Sequence, residues 1–249
     1  MNAMSERHAR ILDRLAEREQ ATVRELAELG GVSVVTIRQD LSALEKAGYI
    51  RRTHGGAALL ETDNIARRLS IRHDKKLRIA RLAASLVEEG ETVLVESGSA
   101  NALLARELAG RRVTIVAANL FVARQAQPGD PAAVVALGGL YQPESEGVVG
   151  TLAKTGIEKT HFSKAFIGMD GFTPASGFTN SDMMRAEIGA AIVARCRRSF
   201  VLGDSSKFGK TSLSRVCGLD DLEGVITDSG LAKEREEELR AGRAALLLA

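Results

Sequence analysis

VSVVTIRQDLSALEKAGYIRRTHGGA, residues 32–57, reads as a capped helix, a glycine stop and a hairpin in one run. Ser33 supplies the hydroxyl that closes the first turn of a helix, which runs to about Ala47 before Gly48 ends it. Ile37, Leu41 and Leu44 fall at i, i+4 and i+7 and form one buried stripe. Val35, Arg38, Gln39 and Ser42 fall on another side and face outward, and Thr36 lies in the first turn, near the helix's positive end. Residues 49–53 read as a short strand, His54-Gly55-Gly56 as a turn and Ala57-Ala58-Leu59 as the return. A hairpin placed behind such a helix is a wing.

Upstream, Ser5 can cap a helix with apolar positions Ile11, Leu12 and Leu15. Thr22 and Glu25 form a capping box that opens a second helix with Leu26, Ala27 and Leu29. Gly30-Gly31 stops it, because glycine accepts the positive φ of a sharp turn. Two helices joined by a short glycine turn make a helix-turn-helix.

An outward helix face carrying Thr, Arg and Gln near its N-terminus fits a DNA major groove. Arginine pairs with guanine edges, glutamine with adenine, and threonine or valine touches the thymine methyl. The alternative is a solvated helix face. From Lys46 to Gly56 there are three basic residues and no acid, so Arg51, Arg52 and the glycine amides are placed to meet phosphates beside the groove. The alternative there is a hairpin edge kept soluble by arginine. Taken together, the helix, glycine turn and wing favour DNA. The candidate DNA contacts are Ser33, Val35, Thr36, Arg38, Gln39, Ser42, Arg51, Arg52, His54 and Gly55.

Val32–Ala57 resembles the signature of the DeoR family of bacterial transcriptional regulators: VS, two variable residues, TIR, a basic residue, DL, LE, a glycine, and an arginine followed by HGGA. Gln39 departs from it, standing where the family usually has a second arginine. That change alters base preference or removes a phosphate contact. Asp40 matches and reads as structural, since a carboxylate would repel phosphate.

Residues 60–74 are polar and without clear periodicity, which predicts a connector between a DNA-binding domain over 1–59 and an α/β domain over 75–249. Residues 61–81 carry seven Lys/Arg against three Asp/Glu, and those arginines are either a solvated face or lie near DNA. Beyond the connector the pattern alternates. Lys75 to Glu89 is amphipathic; Ala100 to Ala109, a stretch from Leu120, Met183 to Arg198 and Leu231 to Arg240 read as helical. The β runs are 92–95, 113–117, 133–137, 165–167, 200–202, 225–227 and 245–248. Alternating strands and helices imply a mostly parallel sheet covered by helices, which binds ligands outside the carboxyl ends of its strands.

Small and polar groups stand at those ends. The first β run leads to Glu96-Ser97-Gly98-Ser99 and a helix start, which suits an anion such as phosphate. The others lead to Asn119, Gly138-Gly139, Gly168-Met169-Asp170-Gly171 and Gly203-Asp204-Ser205-Ser206-Lys207-Phe208-Gly209. Lys207 can neutralise a phosphate, and Asp170, Asp204 and Asn119 can bond sugar hydroxyls. Singly, each is as well read as a cap or a turn former; together they favour a small polar ligand.

This half is similar to the sensor domain of DeoR regulators, whose fold resembles ribose-5-phosphate isomerase and the CoA-transferase-like proteins. ESGSA stands where the family tends to have Asp-Ser-Gly-Ser/Thr-Thr, and GMDGF, GFTN and GDSSKFG match later motifs. The resemblance implies a repressor of a sugar-metabolism operon released by a phosphorylated sugar. Ser97, Gly98 and Ser99 would hold the phosphate, with Asn119, Gly138, Asp170 and Lys207 around the sugar, and Asp204 joins the candidate effector contacts on the reading of its strand end. Glu96 and Ala100 depart from the pattern at the phosphate turn.

The 249 residues are 45% hydrophobic and 27% charged, with a net charge of +2, which excludes a disordered chain. No apolar run is long enough to span a membrane and no secretory signal opens the chain, so a cytoplasmic protein is expected. Aromatics are 4% and Trp is absent, which argues against stacking platforms for single strands. Cys196 and Cys217 read as reduced apolar residues, with a disulfide as the alternative. His8, His54, His73 and His161 are scattered, and the expectation is no metal and no cofactor. The competing reading is a sugar-phosphate isomerase with a DNA-binding appendage, drawing acid and base from Glu96, Asp170, Glu187, Asp204 and Lys207. A CoA-handling enzyme is a third. The regulator reading expects double-stranded operator DNA and a sugar phosphate as partners, no membrane, and a homodimer or homotetramer that reads paired half-sites.

Overall fold

A computed structural model describes residues 5–18, 20–60 and 63–249. Positions 1–4 and 19 of the expected DNA-binding domain and 61–62 of the expected connector lie outside the described residues. The chain divides into two compact units, Met1–His73 and Asp74–Ala249.

In the first unit the helices are α1 (Glu6–Arg18), α2 (Val23–Gly30) and α3 (Val34–Lys46). Three short strands accompany them: β1 (Gln20–Thr22), β2 (Ile50–Thr53) and β3 (Gly56–Leu59). The Thr22–Glu25 capping box forms, Gly31 ends α2 at φ 62°, and Ser33 accepts from the Thr36 amide to cap α3. Ile11, Leu12, Leu15, Leu26, Ile37, Leu41 and Leu44 make the core, as their spacing predicts. β1 is an addition to the reading from sequence. It pairs antiparallel with β3, Ala21 opposite Ala57, so the wing is a three-stranded sheet in the order β1-β3-β2. Residues 63–74 of the expected connector are also more regular than expected. They contain α4 (Ile65–Ser70), which Asn64 caps through the Arg67 amide. Ile65 is its one buried residue, too little apolar periodicity to announce a helix.

The second unit begins in α5 (His73–Ser85). There follow β4 (Thr92–Val95), α6 (Ser99–Ala109), β5 (Thr114–Ala117), α7 (Leu120–Ala123), β6 (Ala133–Ala136), β7 (Leu140–Gln142), β8 (Gly147–Val149) and α8 (Thr151–Lys159). The remainder is β9 (Lys164–Gly168), β10 (Gly171–Thr173), β11 (Gly177–Asn180), α9 (Met183–Arg195), β12 (Ser199–Leu202), β13 (Ser214–Cys217), β14 (Gly224–Thr227), α10 (Lys233–Arg240) and β15 (Ala245–Leu248). Seven strands form one sheet in the order β15-β14-β12-β9-β4-β5-β6, every neighbouring pair parallel. Val93-Leu94-Val95 and Ala165-Phe166-Ile167 are wholly buried in its middle, which explains unbroken apolar runs instead of alternation. Cys196 and Cys217 are free and buried.

Strand order decides where a ligand fits. From β4 the chain runs outward through β5 and β6, then returns to lay β9 on the other side of β4. The switch point therefore lies between the tips of β4 and β9, and open parallel sheets bind ligands at that crevice. An antiparallel sheet, β10-β11-β13, continues from β9. It closes around Phe172 and Phe178, whose ring centroids are 4.5 Å apart. Among the described residues no helix is long and apolar enough to cross a membrane.

Candidate nucleic-acid interface and candidate ligand crevice

In the first unit, α3 presents Val35, Arg38, Gln39 and Ser42 to solvent, with Val35 63% exposed. Arg38, Gln39 and Arg51 make no side-chain hydrogen bond or ion pair among the described residues. Ser33 is occupied as the cap and shares a 3.0 Å contact with the Thr36 hydroxyl. Ser42 donates to the Arg38 carbonyl at 2.9 Å and accepts from the Arg52 guanidinium at 3.2 Å. The Arg52 amide donates to Glu45 at 2.9 Å, so the wing strand is tied to α3 at two points. His54 and Gly55 form the exposed wing turn, Gly55 at φ 82°. The Gly55 carbonyl accepts from the Val23 amide at 2.9 Å and fixes the wing to the start of α2. A concavity of about 350 Å³ between α3 and the wing is lined by Val23, Arg38, Arg52, Thr53, Gly55 and Gly56. Asp40, on the opposite side of α3, accepts from Arg7 at 2.6 and 3.0 Å and lies 3.1 Å from His8. The Arg7 hydrogen bond holds its carboxyl below the usual carboxylate range against the opposing effect of burial. Asp40 thus braces α3 to α1, turned away from the outward face.

In the second unit, the β4 tip turns into α6 through Gly98, at φ 116° and with no side chain capping the helix start. Ser97 and Ser99 flank it and are buried. Across the switch point, Gly168 ends β9. A Cβ there would lie 2.5 Å from the Ser97 carbonyl oxygen, so only glycine fits. The Glu96 carboxylate spans the gap and accepts from the Gly168 amide at 3.0 Å. Burial pushes Glu96 up to about 7, with the Gly168 and Ser97 amides and Arg185 opposing the rise and Asp170 adding to it.

Asn119 is fully buried and already employed. Its amide donates to the Ser97 hydroxyl at 3.1 Å and the Ser145 carbonyl at 2.8 Å, and its oxygen caps α7 through the Val122 amide. It therefore orients Ser97. Asp170 accepts from the Ser181 amide and hydroxyl at 3.1 and 2.7 Å and lies 3.7 Å from the Lys207 ammonium. Asp204 caps the 3-10 turn Ser205–Lys207 through Ser206, the turn-forming role weighed for it. Phe208 anchors that turn, its ring 5.9 Å from Phe172. Gly138 is exposed after β6, two strands from β4 in the sheet order. The contacts above link Ser97, Asn119, Asp170 and Lys207 to the switch point and do not include Gly138.

Asn101 and Arg185 were not foreseen. Asn101 is fully buried and donates to the Ser97 and Phe166 carbonyls at 2.8 and 3.3 Å. Among the described residues its side-chain oxygen has no hydrogen-bond partner. The i, i+4 spacing from Ser97 was the available signal. Arg185 is buried in the first turn of α9 and lies near Glu96; a helical arginine reads from sequence as solvated. Glu187 pairs with Lys154 on the surface of α9 and α8, away from these groups.

Residues 7–63 match the family model described as the DeoR-like helix-turn-helix domain, and residues 71–229 match the DeoR C terminal sensor domain. The chain is 31% identical over 233 residues to the HTH-type transcriptional regulator GolR of Listeria innocua, covering 92% of each. It is 32% identical over 238 residues to the lactose phosphotransferase system repressor of Lactococcus lactis, again covering 92% of each. Among solved structures it is similar to ribose 5-phosphate isomerase A from Methanocaldococcus jannaschii, at 20% identity and TM-score 0.40 over 55% of each chain.

Proposed function

The chain belongs to the DeoR family of transcriptional regulators and is not an enzyme, and from that premise we propose that it represses a sugar-metabolism operon and is released from operator DNA by a phosphorylated sugar. The Lactococcus lactis relative is named a lactose phosphotransferase system repressor, which supports the sugar and the direction of control. On the DNA side, Arg38 and Gln39 read base edges in the major groove, Val35 and Thr36 meet thymine methyls, and Ser33 and Ser42 line the same face. Arg51, Arg52 and the wing turn at His54-Gly55 hold the flanking phosphates. A two-fold oligomer presents two such helices to paired half-sites.

The observation that carries the effector reading is the uncapped start of α6 at Gly98, set at the switch point of the sheet. Unmatched amides at a helix start attract an anion, and the Ser97 and Ser99 hydroxyls and Lys207 complete a phosphate seat. Asn119 holds Ser97 in place, and Asp170 and Asp204 offer acceptors to sugar hydroxyls.

The test is a thermal-shift and DNA-release assay on the full chain. Pentose and hexose phosphates are compared with the same sugars unphosphorylated. A ligand at about 100 times its Kd adds about 2.7 kcal/mol to stability. Only a phosphorylated sugar should give that shift and lower DNA affinity, and Lys207→Ala should need about tenfold more of it, the loss of one charge-assisted contact. An equal shift from the unphosphorylated sugars would remove the phosphate seat, and DNA release untouched by every phosphosugar would remove the effector.

A further inference from the structure

Two anchored side chains stand three positions apart where the two units meet in sequence. Arg72 has φ 52°, a left-handed conformation that costs a non-glycine residue about 1 kcal/mol. Its amide donates to Asp13 at 2.6 Å and its guanidinium to the Ala16 carbonyl, both on α1 of the first unit. Lys75, in the first turn of α5, is held within the second unit. Its ammonium lies 3.0 Å from the Asp228 carboxylate and donates to the Ser205 hydroxyl at 3.3 Å.

Asp228 is fully buried directly after β14. Besides Lys75 it accepts from the Ser205 amide at 2.7 Å, the Ser205 hydroxyl at 3.0 Å and the Gly230 amide at 3.0 Å. Burial raises its pKa, yet the Ser205 and Lys75 hydrogen bonds outweigh that and leave the carboxyl below its usual range. A buried carboxylate that loses such donors is left uncompensated, so its partners move together or not at all. Ser205 is also the first residue of the 3-10 turn that carries Lys207, and the Lys207 amide donates back across the turn to the Asp204 carbonyl at 3.1 Å.

We propose that the Lys75–Asp228–Ser205 contact couples the ligand crevice to the DNA-reading unit, with Lys75 and Arg72 as positioning residues for the effector response. This rests on the regulator reading above. An anion beside Lys207 competes with Asp170, whose carboxylate lies 3.7 Å from the ammonium, longer than a hydrogen bond. Reseating Lys207 turns Ser205, Ser205 carries Asp228 and Lys75, and the short chain back to Arg72 delivers the movement to α1. Coupling is reciprocal, so DNA held by the first unit must alter the Ser205–Lys207 turn even when no sugar is present.

That reciprocity gives the experiment, which uses the full chain and a DNA duplex it has itself selected from a random pool. Hydrogen exchange is read at residues 204–208 with and without duplex. In the wild-type chain, duplex should change exchange there by about fivefold or more, the lower end of ordinary coupling. Lys75→Met should bind the duplex within about twofold of wild type yet lose the change at 204–208, and Lys75→Arg should restore it. Arg72→Gly, which removes the guanidinium anchor and the strain together, should lose it as well. Protection of β4 and β9 confirms that each variant is folded. A wild-type chain that binds duplex with no change at 204–208 overturns the coupling, as does a Lys75→Met chain that still shows one. Both outcomes leave the regulator reading intact, whereas a wild-type chain that selects no duplex removes that reading.

Discussion

The outward face of α3 and the crevice between β4 and β9 use polar residues in opposite ways. On α3, Arg38 and Gln39 are exposed and make no side-chain bonds among the described residues. In the crevice, Ser97, Asn119 and Asp170 are already bonded to one another's neighbourhoods: Asn119 to Ser97, Asp170 to Ser181 and Lys207. The difference is one of cost. A free arginine on a surface gives up only water when it meets a base. A buried group must exchange one protein partner for another, so a ligand seated in the crevice would have to displace contacts that Ser97, Asn119 and Asp170 already make.

Rigid backbone at the switch point gives the largest expected effect. Gly168→Ala places a Cβ 2.5 Å from a backbone oxygen that cannot turn aside. The expected cost is about 3 kcal/mol of stability in the second unit, the upper range for forced overpacking. Gly55→Ala, in the wing, meets no atom within 4 Å and bears only the strain of φ 82°, about 1 kcal/mol. Urea midpoints on both variants check the contrast, and equal losses would deny that the crevice is the tighter of the two.

The two regions were also unequally legible. The reader is encoded locally: caps, glycine stops and the Ile37-Leu41-Leu44 stripe all lie within one short stretch. The central parallel strands were legible as apolar runs, and Ser97, Asp170 and Lys207 became candidates because they stand in the segments that follow such runs. What escaped depends on partners far away in sequence. β1 has three residues and exists by pairing with β3. The β10-β11-β13 sheet joins glycine-bearing strands to a segment beyond α9. The Lys75–Ser205 bond spans 130 positions, and nothing local to either residue announces it.

The next effect in size separates the regions by pH. Glu96 in the folded crevice holds its proton up to about 7, whereas its unfolded value is near 4.5. Between those values the folded state binds more protons than the unfolded, so stability falls as pH rises and the loss is complete above 7. The magnitude is roughly 2 kcal/mol after allowance for relaxation around the charge. Asp40 in the reader has the opposite sign. Its pKa is lowered, so its contribution is present above the ordinary carboxylate range and is lost as pH falls through the folded value. Glu96→Gln keeps an oxygen for the Gly168 amide and cannot ionise. It should match wild type near pH 4.5 and exceed it in stability at pH 8; parallel stability curves from 4.5 to 8 would show that Glu96 is ionised throughout.

Within the reader, Arg38→Ala should cost about 1–3 kcal/mol on the selected duplex and much less on random DNA, because a base contact is lost only where that base is present. Equal losses on both duplexes would make Arg38 a phosphate contact.

The smallest effect belongs to Arg52, and its partners explain why. Its guanidinium reaches Ser42 on α3 and its amide is held by Glu45, so the residue is tied to the helix while it stays exposed to solvent. It lines the concavity that also contains Arg38 and Gly55. A phosphate seated there gains a positioned charge without base information. Arg52→Ala should therefore weaken all duplexes alike, by severalfold at moderate salt, and reduce the slope of log K against log salt by about 1. Fluorescence anisotropy over a salt series measures both quantities. An unchanged slope with selective loss on the chosen duplex would assign Arg52 to base reading, and the division of labour between helix and wing would have to be redrawn with the wing as a reader of sequence.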